Sequence, residues 1–129
     1  FPPLVEACRG NHNDPDEPGE VRELIARGAR VDVRDHKQKT ALHRAAQAGH
    51  LQSIAVLLNA GADIDARDLD DETPLFDAVR YGRPDAVAAL LEAGANASHE
   101  NRLGRSLVDL AKRSRKPKAE AVRALLAER

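Results

Sequence analysis

The sequence has no Trp and no Met, and Phe1, Phe76 and Tyr81 are its only aromatics. Large rings cannot fill an interior here, so packing falls to Ala, Leu, Val and Ile on closely approaching backbones. A single cysteine, Cys8, excludes an internal disulfide and leaves the redox compartment open. No apolar run approaches the roughly 18 residues a membrane helix needs, so membrane insertion is not expected. An excess of one charge is missing too. With 20 basic and 21 acidic residues the chain is almost neutral, which argues against attachment to nucleic acid or a membrane surface by bulk charge. The chain opens on Phe1 rather than Met, which suggests a removed upstream segment. A cytoplasmic location is the expectation, and that start leaves a periplasmic or secreted one open.

What is present is a period. Gly28, Gly61 and Gly94 stand 33 residues apart, as do Ala45, Ala78 and Ala111, and Thr40, Thr73 and Ser106 keep the same step. A unit this short cannot bury its own apolar face, so several must stack into one elongated core. Two copies align without a gap: TALHRAAQAGHLQSIAVLLNAGADIDARD from Thr40 and TPLFDAVRYGRPDAVAALLEAGANASHEN from Thr73. In each, a Thr hydroxyl caps a short apolar helix, and Gly49 or Gly82 ends it. A second amphipathic helix follows, carrying Ile54, Leu57 and Leu58 or Val87, Leu90 and Leu91, and Gly61 or Gly94 closes it in a left-handed conformation. Residues 62–72 and 95–105 then extend as polar fingers.

The helix starts TALHRAA and TPLFDAV, with the finger openings GARVDVRD, GADIDARD and GANASHEN, resemble ankyrin repeats, whose signature is T-P-L-H-x-A on this period. The resemblance covers essentially the whole chain. It implies an all-α ankyrin-repeat solenoid of helix-turn-helix pairs with projecting hairpin-like fingers, one domain over residues 1–129. The repeats fall at approximately 1–34, 35–67, 68–100 and 101–129. In the first, Ala7 to Gly28 spans 21 positions where Ala45 to Gly61 spans 16, so five residues are inserted. They lie in His12–Glu20, where Pro15, Pro18 and Gly19 argue for a loop and the acids crowd negative charge. The last repeat carries a longer inter-helix turn, SRKPK, and a polar final helix suited to a terminal cap. Gln38 and Asp71 replace the family's finger-tip glycine, which Gly104 keeps, so those tips are expected to be strained or reshaped. Phe76 and Asp109 stand where His43 keeps the motif's histidine, so the ties between units should differ there.

No catalytic constellation emerges. Cys8 lies on an apolar helix face and reads as a packed thiol. His12, His36, His43, His50 and His99 form no pair at metal spacing, and Asp14, Asp16 and Glu20 lack the glycine and closing Glu of a calcium loop. No enzyme activity, cofactor or metal is expected.

In ankyrin repeats the finger tips and the exposed side of each first helix form a concave binding surface. Carried over, that nominates Arg34, His36, Lys37, Lys39 and Gln47, then Arg67, Leu69, Asp70, Glu72, Arg80 and Tyr81, then Glu100, Arg102, Leu103, Arg105 and Arg113, all expected to face outward. Charge varies along them. Residues 30–39 carry four basic against two acidic groups, net plus two; residues 63–72 six acidic against Arg67, net minus five; residues 102–118 seven basic against Asp109, net plus six. A surface striped in sign suits a folded protein better than a polyphosphate. Leu69 and Tyr81 stand out as interface anchors. The expected function is a non-catalytic module, monomeric alone, binding another protein, with inhibition or regulation of an enzyme as its sharper form. A regulatory domain excised from a larger protein is the first alternative. Nucleic-acid binding through the basic run at 112–118 is a less favoured second.

Overall fold

The computed structural model describes residues 3–8, 15–113 and 119–127. Within them the chain forms helices in pairs: α1 (Pro3–Cys8) with α2 (Pro18–Ala26), α3 (Ala41–Ala48) with α4 (Leu51–Asn59), α5 (Pro74–Arg80) with α6 (Pro84–Glu92), and α7 (Leu107–Arg113) with α8 (Ala119–Ala127). The first members of the pairs pack side by side in chain order, and so do the second members. Ala41, Ala45, Ala46 and Ala78 are fully buried in the first row, where methyl-sized side chains let neighbouring backbones approach. Leu42, Leu75, Ile54, Leu57, Val87 and Leu90 are buried in the one apolar core that the stacked helices share. Replacing any of these leucines with Ala should cost about 2–5 kcal/mol through lost burial and an unfilled cavity.

The helix boundaries follow local chemistry. Thr40 is extended and its hydroxyl accepts the His43 amide at 3.4 Å, while the His43 ring accepts the Thr40 amide at 3.1 Å. Ser106 and Asp109 make the same reciprocal cap on α7, at 3.2 and 3.0 Å. Thr73 departs from the expectation. Its hydroxyl caps nothing and is buried without a partner among the described residues: the Phe76 amide donates to the Thr73 carbonyl at 2.9 Å instead, and Phe76 has no ring nitrogen to meet the hydroxyl. Gln38 and Asp71 both adopt φ of 61°, matching the 75° of Gly104, so the tips keep one shape and the two side chains bear the strain.

The first repeat corrects one expectation. Helix α2 starts at Pro18 and carries Gly19 and Glu20 in its first turn, where a missing amide hydrogen is harmless, so the loop ends earlier than His12–Glu20 implied. Residues 12–14 lie outside the described residues, as do 114–118 of the basic run and the two terminal residues of the last helix's polar face. The inserted Asp16 has a structural task. Its carboxylate accepts the Gln52 amide at 2.8 Å and the Ser53 hydroxyl at 2.5 Å, capping α4, whose own N-cap residue His50 does not cap the helix with its side chain.

Candidate functional site

Each finger is built on an Asx turn that recurs at the 33-residue step. Asp35 Oδ1 accepts the amides of Lys37 and Lys39 at 2.9 and 3.0 Å, Asp68 Oδ1 those of Asp70 and Glu72 at 2.9 and 3.0 Å, and Asn101 Oδ1 those of Leu103 and Arg105 at 3.0 Å each. Neighbouring tips are tied by one main-chain bond apiece. The Leu69 amide donates to the Lys37 carbonyl at 3.1 Å and the Arg102 amide to the Asp70 carbonyl at 3.0 Å. Arg34 adds a clasp, donating to the Gln38 and Arg67 carbonyls at 2.9 and 2.6 Å. The fingers are therefore a connected, preorganised edge.

Beneath the tips lies a chain of buried charge. Lys39 Nζ bonds Asp68 at 2.6 Å and both carboxylate oxygens of Asp77 at 3.0 Å. Arg80 forms a two-pronged bridge to Glu72 at 2.6 and 2.7 Å, and Asn101 donates to Glu72 at 2.8 Å. Arg44 binds Asp35 at 3.0 and 2.7 Å. Equivalent positions carry opposite signs: Lys39 becomes Glu72, and Arg44 becomes Asp77. Each inversion is matched by the neighbour it meets, since Lys39 reaches forward to Asp68 and Glu72 reaches forward to Asn101.

Protonation follows from this packing. Burial pushes the Asp77 carboxyl up to about 6, against the opposing pull of Lys39. Burial also disfavours the ionised forms of Asp35, Asp68 and Glu72, yet Arg44, Lys39 and Arg80 with the backbone amides hold all three below the ordinary carboxylate range. Lys39 is kept above its ordinary value because Asp77 and Asp68 outweigh its own desolvation. Burial drives the His43 imidazole down to about 4. Its Nδ1 accepts the Thr40 amide, and its Nε2 hydrogen goes to the Glu72 carbonyl at 2.9 Å, linking α3 to the following finger. One repeat on, Phe76 cannot make that bond. His99 makes a different tie, donating to the Asp71 carbonyl at 2.7 Å while meeting the Phe76 ring edge-on at 5.9 Å. The Cys8 thiol is buried and pushed up to about 12 by desolvation, then by Asp16 and Glu20, as befits packing rather than reactivity.

Two of the nominated outward residues turn inward. Lys39 is 9% exposed and Glu72 only 2%, because Lys39 pairs with Asp68 and Asp77 of the next repeat and Glu72 with Arg80 of its own. Arg80 is half-buried on Glu72. Gln47 is half-buried, accepting from Arg44 at 3.1 Å while its carbonyl accepts Arg83 at 2.9 Å. Tyr81 is half-buried at the end of α5, and Arg105 is half-buried beside the third tip. Arg34, His36, Lys37, Arg67, Asp70, Glu100, Arg102 and Arg113 are exposed, and Leu69 and Leu103 are 50% and 74% exposed on adjacent tips. The acid-rich second finger is far less negative than its composition suggests. Asp68 and Glu72 are consumed by Lys39 and Arg80, and Asp71 pairs with Arg67 at 3.6 Å.

Among the described residues two carboxylate-bearing groups could gather around a cation: His43, Asp68 and Asp77, and Asp68, Asp70 and Glu72. The first already encloses the Lys39 ammonium, and both ring nitrogens of His43 are engaged. In the second, Glu72 is taken up by Arg80 and Asn101. The residues that organise this region, Asp35, Asp68, Asn101, Arg44 and Asp77, went unnominated. Their signal was available, since 35, 68 and 101 share the repeat step, as do 44 and 77.

Repeating helix pairs joined by tied fingers also fix the family. The family model for ankyrin repeats, in three copies, matches residues 4–101. The chain belongs to the ankyrin repeat family. Ankyrin repeats are generally protein–protein interaction modules, and the family is typically non-catalytic. No curated protein matches the chain. Among the described residues no helix is long and apolar enough to cross a membrane.

Proposed function

We propose that this ankyrin repeat chain holds a partner protein without transforming it, using its finger tips and the concave side of its first-helix row. The reading rests on preorganisation. Three Asx turns, two main-chain ties and the Arg34 clasp order the tips before any partner arrives, which lowers the entropy lost on binding. On that edge Leu69 and Leu103 are exposed large apolar groups, and Tyr81 with Gln47 and Arg80 supplies a partly covered aromatic and polar floor. Lys39 and Glu72 support the surface from below rather than touching the partner.

The test is capture from a lysate of the native host with the wild-type chain and two variants, Leu69→Ser and Tyr81→Ala. Both substitutions are at sites that are not fully buried, and far-ultraviolet circular dichroism verifies the fold. Loss of a captured protein in both variants supports the surface. Capture that survives both rejects it.

A further inference from the structure

The two interior interfaces of the stack show what the first-helix row requires of its neighbour, and among the described residues α7 has no following neighbour to supply it. Leu42 in α3 and Leu75 in α5 are fully buried, whereas Val108, the same position in α7, is 41% exposed. Position 39 behaves in parallel. Lys39 meets Asp68 of the following finger and Glu72 meets Asn101, but Arg105, next in the series, forms no ion pair among the described residues. Around it, Arg102, Lys112 and Arg113 are exposed and also without ion pairs among the described residues, while Asp109 is turned to its cap on Ser106. Leu103 stands free on the adjoining tip.

We propose that this end face of α7 and the third finger is a docking site for an acidic amphipathic segment of a partner protein. A carboxylate of the segment pairs with Arg105 as Asp68 pairs with Lys39, and apolar side chains cover Val108 and Leu103. The charge on the face selects this chemistry. Against four cations stand Asp109, held in its cap, and the exposed Glu100 and Asp70, and Arg105 pairs with none of them, so a basic segment is repelled and a neutral one leaves Arg105 unanswered at a newly formed contact. The inference rests on the partner-binding reading but uses the end of the stack rather than its concave side.

The probe is a synthetic helical peptide with leucines on one face and glutamates flanking them, followed by fluorescence anisotropy against the whole chain. Two control peptides replace Glu with Lys or Leu with Ser. The acidic leucine peptide should bind, weaken with added salt, and lose about tenfold affinity to Val108→Asp and to Arg105→Glu, while Tyr81→Ala leaves it unchanged. Unfolding midpoints of the variants exclude a folding defect. Equal binding of either control peptide, or binding indifferent to Val108→Asp, overturns the proposal. Dependence on Tyr81 alone also overturns it, placing the peptide on the concave side and leaving the general reading intact. If none of the peptides binds, the end-face inference fails while lysate capture still decides the general one. Sedimentation showing a dimer that Val108→Asp dissolves would assign the face to a second copy of the chain, and competition by a duplex oligonucleotide that ignores Val108→Asp would assign its charge to phosphate; either outcome sinks it.

Discussion

Replacing Lys39 with Met keeps the length of the side chain and deletes the one ammonium shared by Asp68 and Asp77, whose side chains are 2% and 1% exposed. Leaving a buried charge without its partner costs about 3–5 kcal/mol. Protonation sets a ceiling. Asp77 can escape by taking a proton, and because the parent's carboxyl already sits at about 6, that escape at about pH 7 adds only about 1.4 kcal/mol to what the parent bears. Asp68 remains ionised on its two backbone amides. Lys39→Met should therefore lose about 2–3 kcal/mol at neutral pH, the part beyond Asp77 coming from the unpaired Asp68, read by urea unfolding with circular dichroism. Toward about pH 5 the deficit should narrow by about 1 kcal/mol, because the variant's protonated Asp77 becomes inexpensive before the parent's, which begins to protonate near 6. Adding Asp77→Leu to Lys39→Met should recover about half of the loss, since the apolar pair needs no counter-charge while Asp68 still lacks the ammonium. A loss below about 1 kcal/mol with no pH dependence would show that the carboxylates are solvated, and the account of the inter-repeat charge chain would be wrong.

Three other outcomes follow from the same geometry. His43, depressed to about 4 from 6.5, lets the unfolded chain bind the proton first, so stability is lost as pH falls through that window; Asp77, raised to about 6 from 3.8, does the reverse. The wild-type stability should be nearly flat between about pH 6 and 4.5, and Asp77→Asn should expose a decline of about 1.4 kcal/mol per unit of acidification, measured by denaturant titrations at stepped pH. Thr40→Ala should cost about 1 kcal/mol by removing a cap, whereas Thr73→Ala, which removes an unbonded hydroxyl, should cost less than half as much in the same assay. Gln38→Gly should raise the unfolding midpoint by about 0.5 kcal/mol equivalent because Gln is held at positive φ, and Asp71→Gly should gain less, since Asp tolerates that region and pairs with Arg67.

The architecture was legible because its causes are local and recur. Gly28, Gly61 and Gly94 take φ of 97°, 93° and 98° just past α2, α4 and α6, and their spacing alone announces where helices close. Thr73 escaped that logic. A hydroxyl in the right place caps only if the amide turns to it, and the Phe76 amide bonds the Thr73 carbonyl instead. Asp16 escaped it too, since nothing near residue 16 reveals that its carboxylate reaches an amide 36 residues away.

Sequence alone determined the repeat, its helix pairs and its fingers, because apolar spacing, glycine and hydroxyl caps act within a few residues of themselves. Only the tertiary structure decided which charges remain to meet a partner. Lys39 lies 29 residues from Asp68 and 38 from Asp77, so their mutual cancellation arises only when repeats stack and exclude water between them. The stripes of sign that looked like surface are in large part the matching of one repeat to the next.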